Sequence, residues 1–238
     1  MKKTIKPTLV LIPGLGNNAR IWAAQIEELS SDYELIVPDY SNAMSIDEMA
    51  DVVLAEVCAE RFSLVGFSLG GYIALNLIQR IPQRIERLAI ISSSPYADSD
   101  QAAKQREKLI DAANKDYGAV LKNMAKAIVC SDGPNAETAR EVLCLMGQEI
   151  DVDVFCRHQR AATQRVDTRA VLASINCPVR VLVGAQDVVT PVSGNRFFAE
   201  NISGASLQVI QDSGHLLPLE RPNEVNTFLR QWLEFNES

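Results

Sequence analysis

Apolar and polar positions along the chain fall into two alternating patterns. Short, nearly continuous apolar runs occur at Thr8–Ile12, Glu34–Val37, Phe62–Gly66, Arg87–Ile91, Val179–Val183 and Leu207–Ile210. Runs of this length without a polar alternate suit strands covered on both faces, as in a parallel sheet. Helical spacings separate the first four. Ile21, Trp22, Ile26 and Leu29 share one face, Met49, Val52, Val53 and Cys58 share another less cleanly, and Leu69 to Ile81 forms an apolar helix stopped by Pro82. Strand alternating with helix predicts right-handed crossovers and an α/β fold with a mostly parallel sheet of about six strands.

After Ile91 the alternation stops. Residues 95–165 contain no strand pattern and read as four helices inserted into a single domain spanning residues 1–238. The first is marked by Leu109, Ile110 and Ala113, and the second by Tyr117, Val120, Leu121, Met124 and Ile128. The third is marked by Val142, Leu145 and Met146, and the fourth by Val152, Phe155, Cys156 and Gln159, with a break at Ser131–Asn135 between second and third. The rhythm then resumes and closes with a helix from Pro222 whose Val225, Phe228, Leu229, Trp232 and Leu233 form one apolar face.

Composition narrows the function classes. A length of 238 residues with 47% hydrophobic and 22% charged residues is globular, and a net charge of −7 argues against a nucleic-acid surface. No window offers 18 consecutive apolar residues, and the run Leu9–Ile12 stops at Pro13, too short for a signal sequence. The five scattered cysteines suggest neither a disulfide framework nor a zinc cluster and fit a cytoplasmic protein. The inserted helices carry ten Lys or Arg against eleven Asp or Glu, which favours an apolar or uncharged substrate. Only two histidines exist, His158 and His215, so a multi-histidine metal site is nearly excluded and a histidine base has two candidates.

The strongest motif is Gly66-Phe67-Ser68-Leu69-Gly70, a G-x-S-x-G between an apolar strand and an apolar helix. In that context a sharp turn lifts the serine oxygen above the sheet at the N-terminus of the next helix, and glycine is needed on both sides for lack of room. A serine nucleophile needs a base and the base an orienter. Asp187 follows the strand Val179–Val183, and His215 follows Leu207–Ile210, so all three stand at C-terminal strand ends in the order Ser68, Asp187, His215. His158 lies mid-helix among Arg157, Gln159 and Arg160 and reads as a surface or packing histidine. A competing pattern, Gly14-x-Gly16-x-x-Ala19 with Asp39 twenty residues on, satisfies a dinucleotide-binding fingerprint on paper. An oxidoreductase of that kind leaves the Ser68, Asp187 and His215 coincidence unexplained.

With these motifs the chain resembles the α/β-hydrolase superfamily over nearly its whole length, in particular its small bacterial esterase-like and lactonase-like members. The resemblance implies a helical cap at 95–165, and an oxyanion hole from the backbone N–H groups of Leu15 and Leu69. Two features differ from the common family pattern: Pro13-Gly14 replaces His-Gly, and Asp39–Ser45 keeps only the ends of D-x-x-G-x-G-x-S. The oxyanion loop begins at residue 13, so the sheet is expected to lack the first antiparallel strands. The implied reaction is cleavage of a small ester, thioester or lactone through an acyl-enzyme, with no metal or organic cofactor, no nucleic acid and no membrane. Divergent relatives of this fold act as small-molecule receptors, lyases or cofactor-free peroxidases, which a complete triad does not exclude. Trp22, Phe67, Met124, Met146 and Phe155 are candidates for an apolar acyl pocket, although the same helical spacing also describes plain core packing.

Overall fold

The computed structural model describes residues 6–234. Its centre is a six-stranded sheet, all neighbours parallel: β1 (Thr8–Ile12), β2 (Glu34–Ile36), β3 (Phe62–Phe67), β4 (Ile85–Ile91), β5 (Val179–Gly184) and β6 (Ser206–Ile210). The spatial order is β2-β1-β3-β4-β5-β6. The expected α/β sheet of six parallel strands is the one observed.

Strand position explains the composition of each run. All residues of β1 and β3 are buried, whereas the edge strand β6 alternates between exposed and covered positions. Successive side chains of the central strands feed two cores, as a period of two requires. Val10, Ile12, Leu64, Leu88, Ile90 and Val181 meet α2 (Ile46–Glu56) and α3 (Leu69–Arg80) through residues such as Met49, Val53, Ile73 and Leu77. Leu9, Leu11, Val65, Ala89, Ile91 and Leu182 meet Trp22, Leu29, Phe228, Leu229 and Trp232 on the opposite face. Those residues come from the turn Ala19–Trp22, from α1 (Ala23–Leu29) and from the last helix, Pro222–Glu234.

Between β4 and β5 run three α-helices, α4 (Asp100–Ile128), α5 (Ala136–Glu149) and α6 (Val152–Thr163), and then a short 3-10 turn at Arg169–Ser174. The first is one run only in name. Asp116 leaves helical geometry (φ −154°, ψ 87°), and its side chain accepts a hydrogen bond from the Ala119 amide at 2.9 Å, capping a second helix. The four expected helices are therefore present, two of them joined at a capped break. Three further α-helices complete the set among the described residues: α7 (Val192–Asn201), the single turn α8 (Leu217–Glu220) and α9 (Pro222–Glu234).

The register aligns the strand ends, pairing Ile12 with Gly66, Phe67 with Ile91 and Gly184 with Ile210. The segments that follow β1, β3, β5 and β6 thus emerge along one edge of the sheet. This is where open α/β sheets build sites.

Candidate active site

Ser68 is the first residue past β3 and adopts φ 51°, ψ −113°, a conformation that non-glycine residues rarely hold. Its backbone is fixed from both sides. The Ser68 amide donates to the Ile91 carbonyl at 3.0 Å, and its carbonyl accepts from the Gly71 amide at 2.9 Å and the Ser93 hydroxyl at 2.8 Å. The flanking glycines are sterically required. A Cβ on Gly66 would lie 2.6 Å from the Gly70 carbonyl oxygen, and one on Gly70 would lie 2.3 Å from the Ile12 carbonyl oxygen. Strand and helix approach too closely there for any side chain.

Two loops from the far half of the sheet meet this turn. His215 Nε2 is 2.9 Å from Ser68 Oγ, and His215 Nδ1 is 2.9 Å from Asp187 Oδ2. Asp187 is fully held: Oδ1 accepts from the amides of Val189 and Thr190 at 2.8 Å each, and Oδ2 also accepts from the Thr190 hydroxyl at 2.8 Å. Burial pushes the Asp187 carboxyl up, but the charge and hydrogen bond of His215 and the Thr190 donors outweigh it and hold it below the usual range. The His215 amide donates to the Ile128 carbonyl at 2.8 Å, and its ring packs on Phe67 at 5.3 Å between centroids. Tied to the end of α4 and backed by an aromatic ring, the imidazole is fixed between its two partners.

Glu220 is a member of this site that the sequence reading passed over. It is fully buried, and its carboxylate accepts from the amides of Gly214 (2.8 Å), Leu216 (2.9 Å) and Cys130 (2.9 Å). Two of these amides flank His215, so Glu220 clamps the histidine loop and ties it to the segment after α4. Burial pushes its carboxyl up while the three amides oppose. The signal lay in Leu216-Leu217-Pro218-Leu219-Glu220: an acid closing an apolar run must be buried and must find donors.

The second omission is what holds the loop after β1 in place. Tyr40 donates its hydroxyl to the Pro13 carbonyl at 2.6 Å, and the Gly16 amide donates to His158 Nδ1 at 3.3 Å. His158 is only 2% exposed, and its ring packs against Tyr40 at 5.4 Å. The surface alternative for His158 is thus corrected. The sequence shows the polar neighbours of His158 on α6 but not the loop that folds over its other side. Burial pushes this imidazole down to about 4, with the Tyr40 carbonyl opposing in part. The same contacts bear on the dinucleotide pattern. Gly16 is covered by α6, where a pyrophosphate would have to approach, and a Cβ on Gly16 would lie 3.4 Å from Phe155.

A cavity of about 480 Å³ opens beside Ser68. Leu15, Leu69 and His215 line it near the serine, with Leu109, Met124, Ile128, Leu143 and Leu216 forming apolar wall. Leu69 is the first residue of α3, where an amide has no carbonyl one turn back to bond. Of the five apolar candidates only Met124 is in this wall. Trp22, Phe67 and Met146 are buried in the core on that face of the sheet, and Phe155 in a small cluster with Ile110, Ala113, Val120 and Cys156. Among the described residues no three His, Cys, Asp or Glu side chains are placed to hold a metal ion, and no helix is long and apolar enough to cross a membrane.

A family model described as "Alpha/beta hydrolase family" matches residues 9–228. A protein of Yersinia enterocolitica named "Putative carbamate hydrolase RutD" is 27% identical over 248 residues, covering 95% of this chain and 87% of the relative. The pimeloyl-[acyl-carrier protein] methyl ester esterase of Chromobacterium violaceum is 24% identical, covering 96% and 94%. Among solved structures, a thermophilic esterase from Thermogutta terrifontis superposes with a TM-score of 0.86 at 24% identity, covering 96% of this chain and 90% of that one.

Proposed function

Since the chain belongs to the alpha/beta hydrolase family, we propose that it is a serine hydrolase acting on a carboxylic ester, thioester or lactone through an acyl-enzyme. One observation carries this reading: Ser68 Oγ, His215 and Asp187 form a hydrogen-bonded chain with both links at 2.9 Å, and the serine end opens into the cavity. The coarser statement, a hydrolase, agrees with the esterase and carbamate hydrolase names among the relatives.

In this scheme His215 Nε2 takes the Ser68 proton as Oγ attacks the acyl carbonyl carbon. Asp187 holds the Nδ1–H tautomer and stabilises the imidazolium. The amides of Leu15 and Leu69 receive the oxyanion, aided by the N-terminus of α3. His215 then gives the proton to the leaving oxygen or sulfur, leaving Ser68 acylated. A water, deprotonated by the same imidazole, attacks the acyl-enzyme and releases the acid with Ser68 restored. Neither step needs a metal or organic cofactor. The inserted helices act as a cap that shapes the acyl pocket, and the substrate is a small molecule.

Labelling with a fluorophosphonate probe, with Ser68→Ala as control, tests the nucleophile. Turnover of short 4-nitrophenyl esters then separates a hydrolase from a receptor that keeps the triad. Undiminished ester hydrolysis by Ser68→Ala would defeat the reading.

A further inference from the structure

The cavity lining is largely apolar but includes one cluster of charged side chains. Asp98, between β4 and α4, has a side chain only 5% exposed and meets two guanidinium groups. Its Oδ2 accepts from Arg106 Nε at 2.6 Å, and its Oδ1 lies 2.5 Å from Arg165 Nη1. Arg165, just past α6, also donates to the carbonyls of Tyr96 (3.0 Å) and Ala162 (2.7 Å), and stacks over the Tyr72 ring at 4.3 Å. Its role is set by these protein acceptors. Arg106 is different. It donates Nη1 to Gln159 Oε1 at 2.6 Å, but among the described residues Nη2 has no protein partner, and the side chain keeps 23% of its exposure.

Among the described residues, Arg106, Arg165 and Asp98 are the only Asp, Glu, Lys or Arg side chains lining the cavity, so its lining carries one surplus positive charge. Asp187 does not offset it, since that carboxylate lies behind His215 with its own donors. A surplus cation in a partly desolvated pocket is costly unless an anion meets it. Arg106 also ties α4 to α6 through Gln159, while Asp98 with Arg165 joins the segments just outside those helices, and neither link uses Arg106 Nη2. The near neutrality of the inserted helices hides this asymmetry, since most of their charges do not line the cavity.

We propose that Arg106, held by Asp98 and Gln159, is a carboxylate subsite, and that the substrate is the monoester, monothioester or lactone of a dicarboxylic acid. The free carboxylate docks on the Arg106 guanidinium while the scissile carbonyl lies at Ser68. This deepens the serine-hydrolase reading and rests on it. Ser68 and Arg106 line the same cavity, and Arg165, which shares Asp98 with Arg106, stacks over Tyr72 one turn along α3 from Ser68. A guanidinium fork suits a planar carboxylate in two-point contact.

The test compares 4-nitrophenyl hemiadipate with 4-nitrophenyl hexanoate, similar in length and differing in the terminal charge. The full chain should favour the anionic ester at least tenfold in kcat/KM, despite its own net charge of −7. Arg106→Gln should lower that ratio at least tenfold, and Arg106→Lys should keep part of it. Calorimetry supplies a readout independent of turnover: adipate should bind the wild-type chain more tightly than inorganic phosphate, and Arg106→Gln should weaken it. A wild-type ratio at or below one overturns the subsite while leaving the hydrolase intact, and needs no variant to fold. Phosphate binding as tightly as adipate overturns the carboxylate assignment. If neither ester turns over but adipate binding still depends on Arg106, the subsite stands and the hydrolase reading fails.

Discussion

The two histidines occupy regions built on the same plan for different ends. Each is buried, each packs against an aromatic ring, and each has Nδ1 engaged. Behind His215 Nδ1 stands a carboxylate, so that ring nitrogen is a donor and a positive charge on the ring has a partner. Behind His158 Nδ1 stands the Gly16 amide, so that nitrogen is an acceptor and a proton there would cost the hydrogen bond. Burial disfavours a charge on either ring, and only His215 has a carboxylate hydrogen-bonded to its ring to offset that cost. Both rings are buried, so the carboxylate is the difference between them.

The largest effect expected from breaking this contrast is at His215. His215→Asn removes the proposed base and should lower kcat for a 4-nitrophenyl ester by about 10⁴-fold or more. His158→Asn should cost no more than about tenfold at pH 8, the equivalent of one hydrogen bond to the loop after β1. Steady-state kinetics on the two variants decides it. Equal losses would mean that the contrast is false. Next in size is Glu220, which serves His215 from behind. Glu220→Ala leaves three buried amides without an acceptor and should lower unfolding stability by roughly 3 kcal/mol. Glu220→Gln keeps one acceptor oxygen and should recover part of that, read from urea midpoints.

What was legible in the sequence follows the same division. Ser68, Asp187 and His215 could be placed because each follows a strand, and parallel strands bring their ends to one edge whatever lies between. The six strands were legible for a related reason, since burial on both faces leaves long apolar runs. Glu220 was passed over and His158 left between surface and packing roles because their partners are backbone amides, which no residue type announces. Arg106 and Arg165 meet on one aspartate across an insert whose tertiary fold the helical spacing does not specify.

His158 also gives a pH signature. Its ordinary value is 6.5, and in the folded chain it is pushed down to about 4. Between those values the unfolded chain binds the extra proton, so stability is complete above about 6.5 and is lost as pH falls toward 4. The shift corresponds to about 3 kcal/mol at most. His158→Asn should flatten the fall in thermal midpoint across that window relative to wild type. Asp187, held below its usual range, contributes at lower pH, where its stabilisation is lost on protonation. An unchanged slope in His158→Asn would show that the imidazole is not held neutral by its burial.

The smallest effect separates packing from pocket within the inserted helices, where periodicity could not. Met146 and Met124 are the same residue type on neighbouring helices, one fully buried in the core and the other half-buried in the cavity wall. Met146→Ala should cost about 2 kcal/mol or more of stability, because the surrounding core collapses only in part. Its ratio of rates on octanoyl and butanoyl 4-nitrophenyl esters should stay near that of wild type. Met124→Ala should do the reverse. A widened wall gains room for the longer acyl chain, and differences of this kind amount to roughly tenfold in the kcat/KM ratio. If the ratio moves with Met146 and not Met124, the acyl group lies under the helices rather than beside them, and Met124 is not part of its wall.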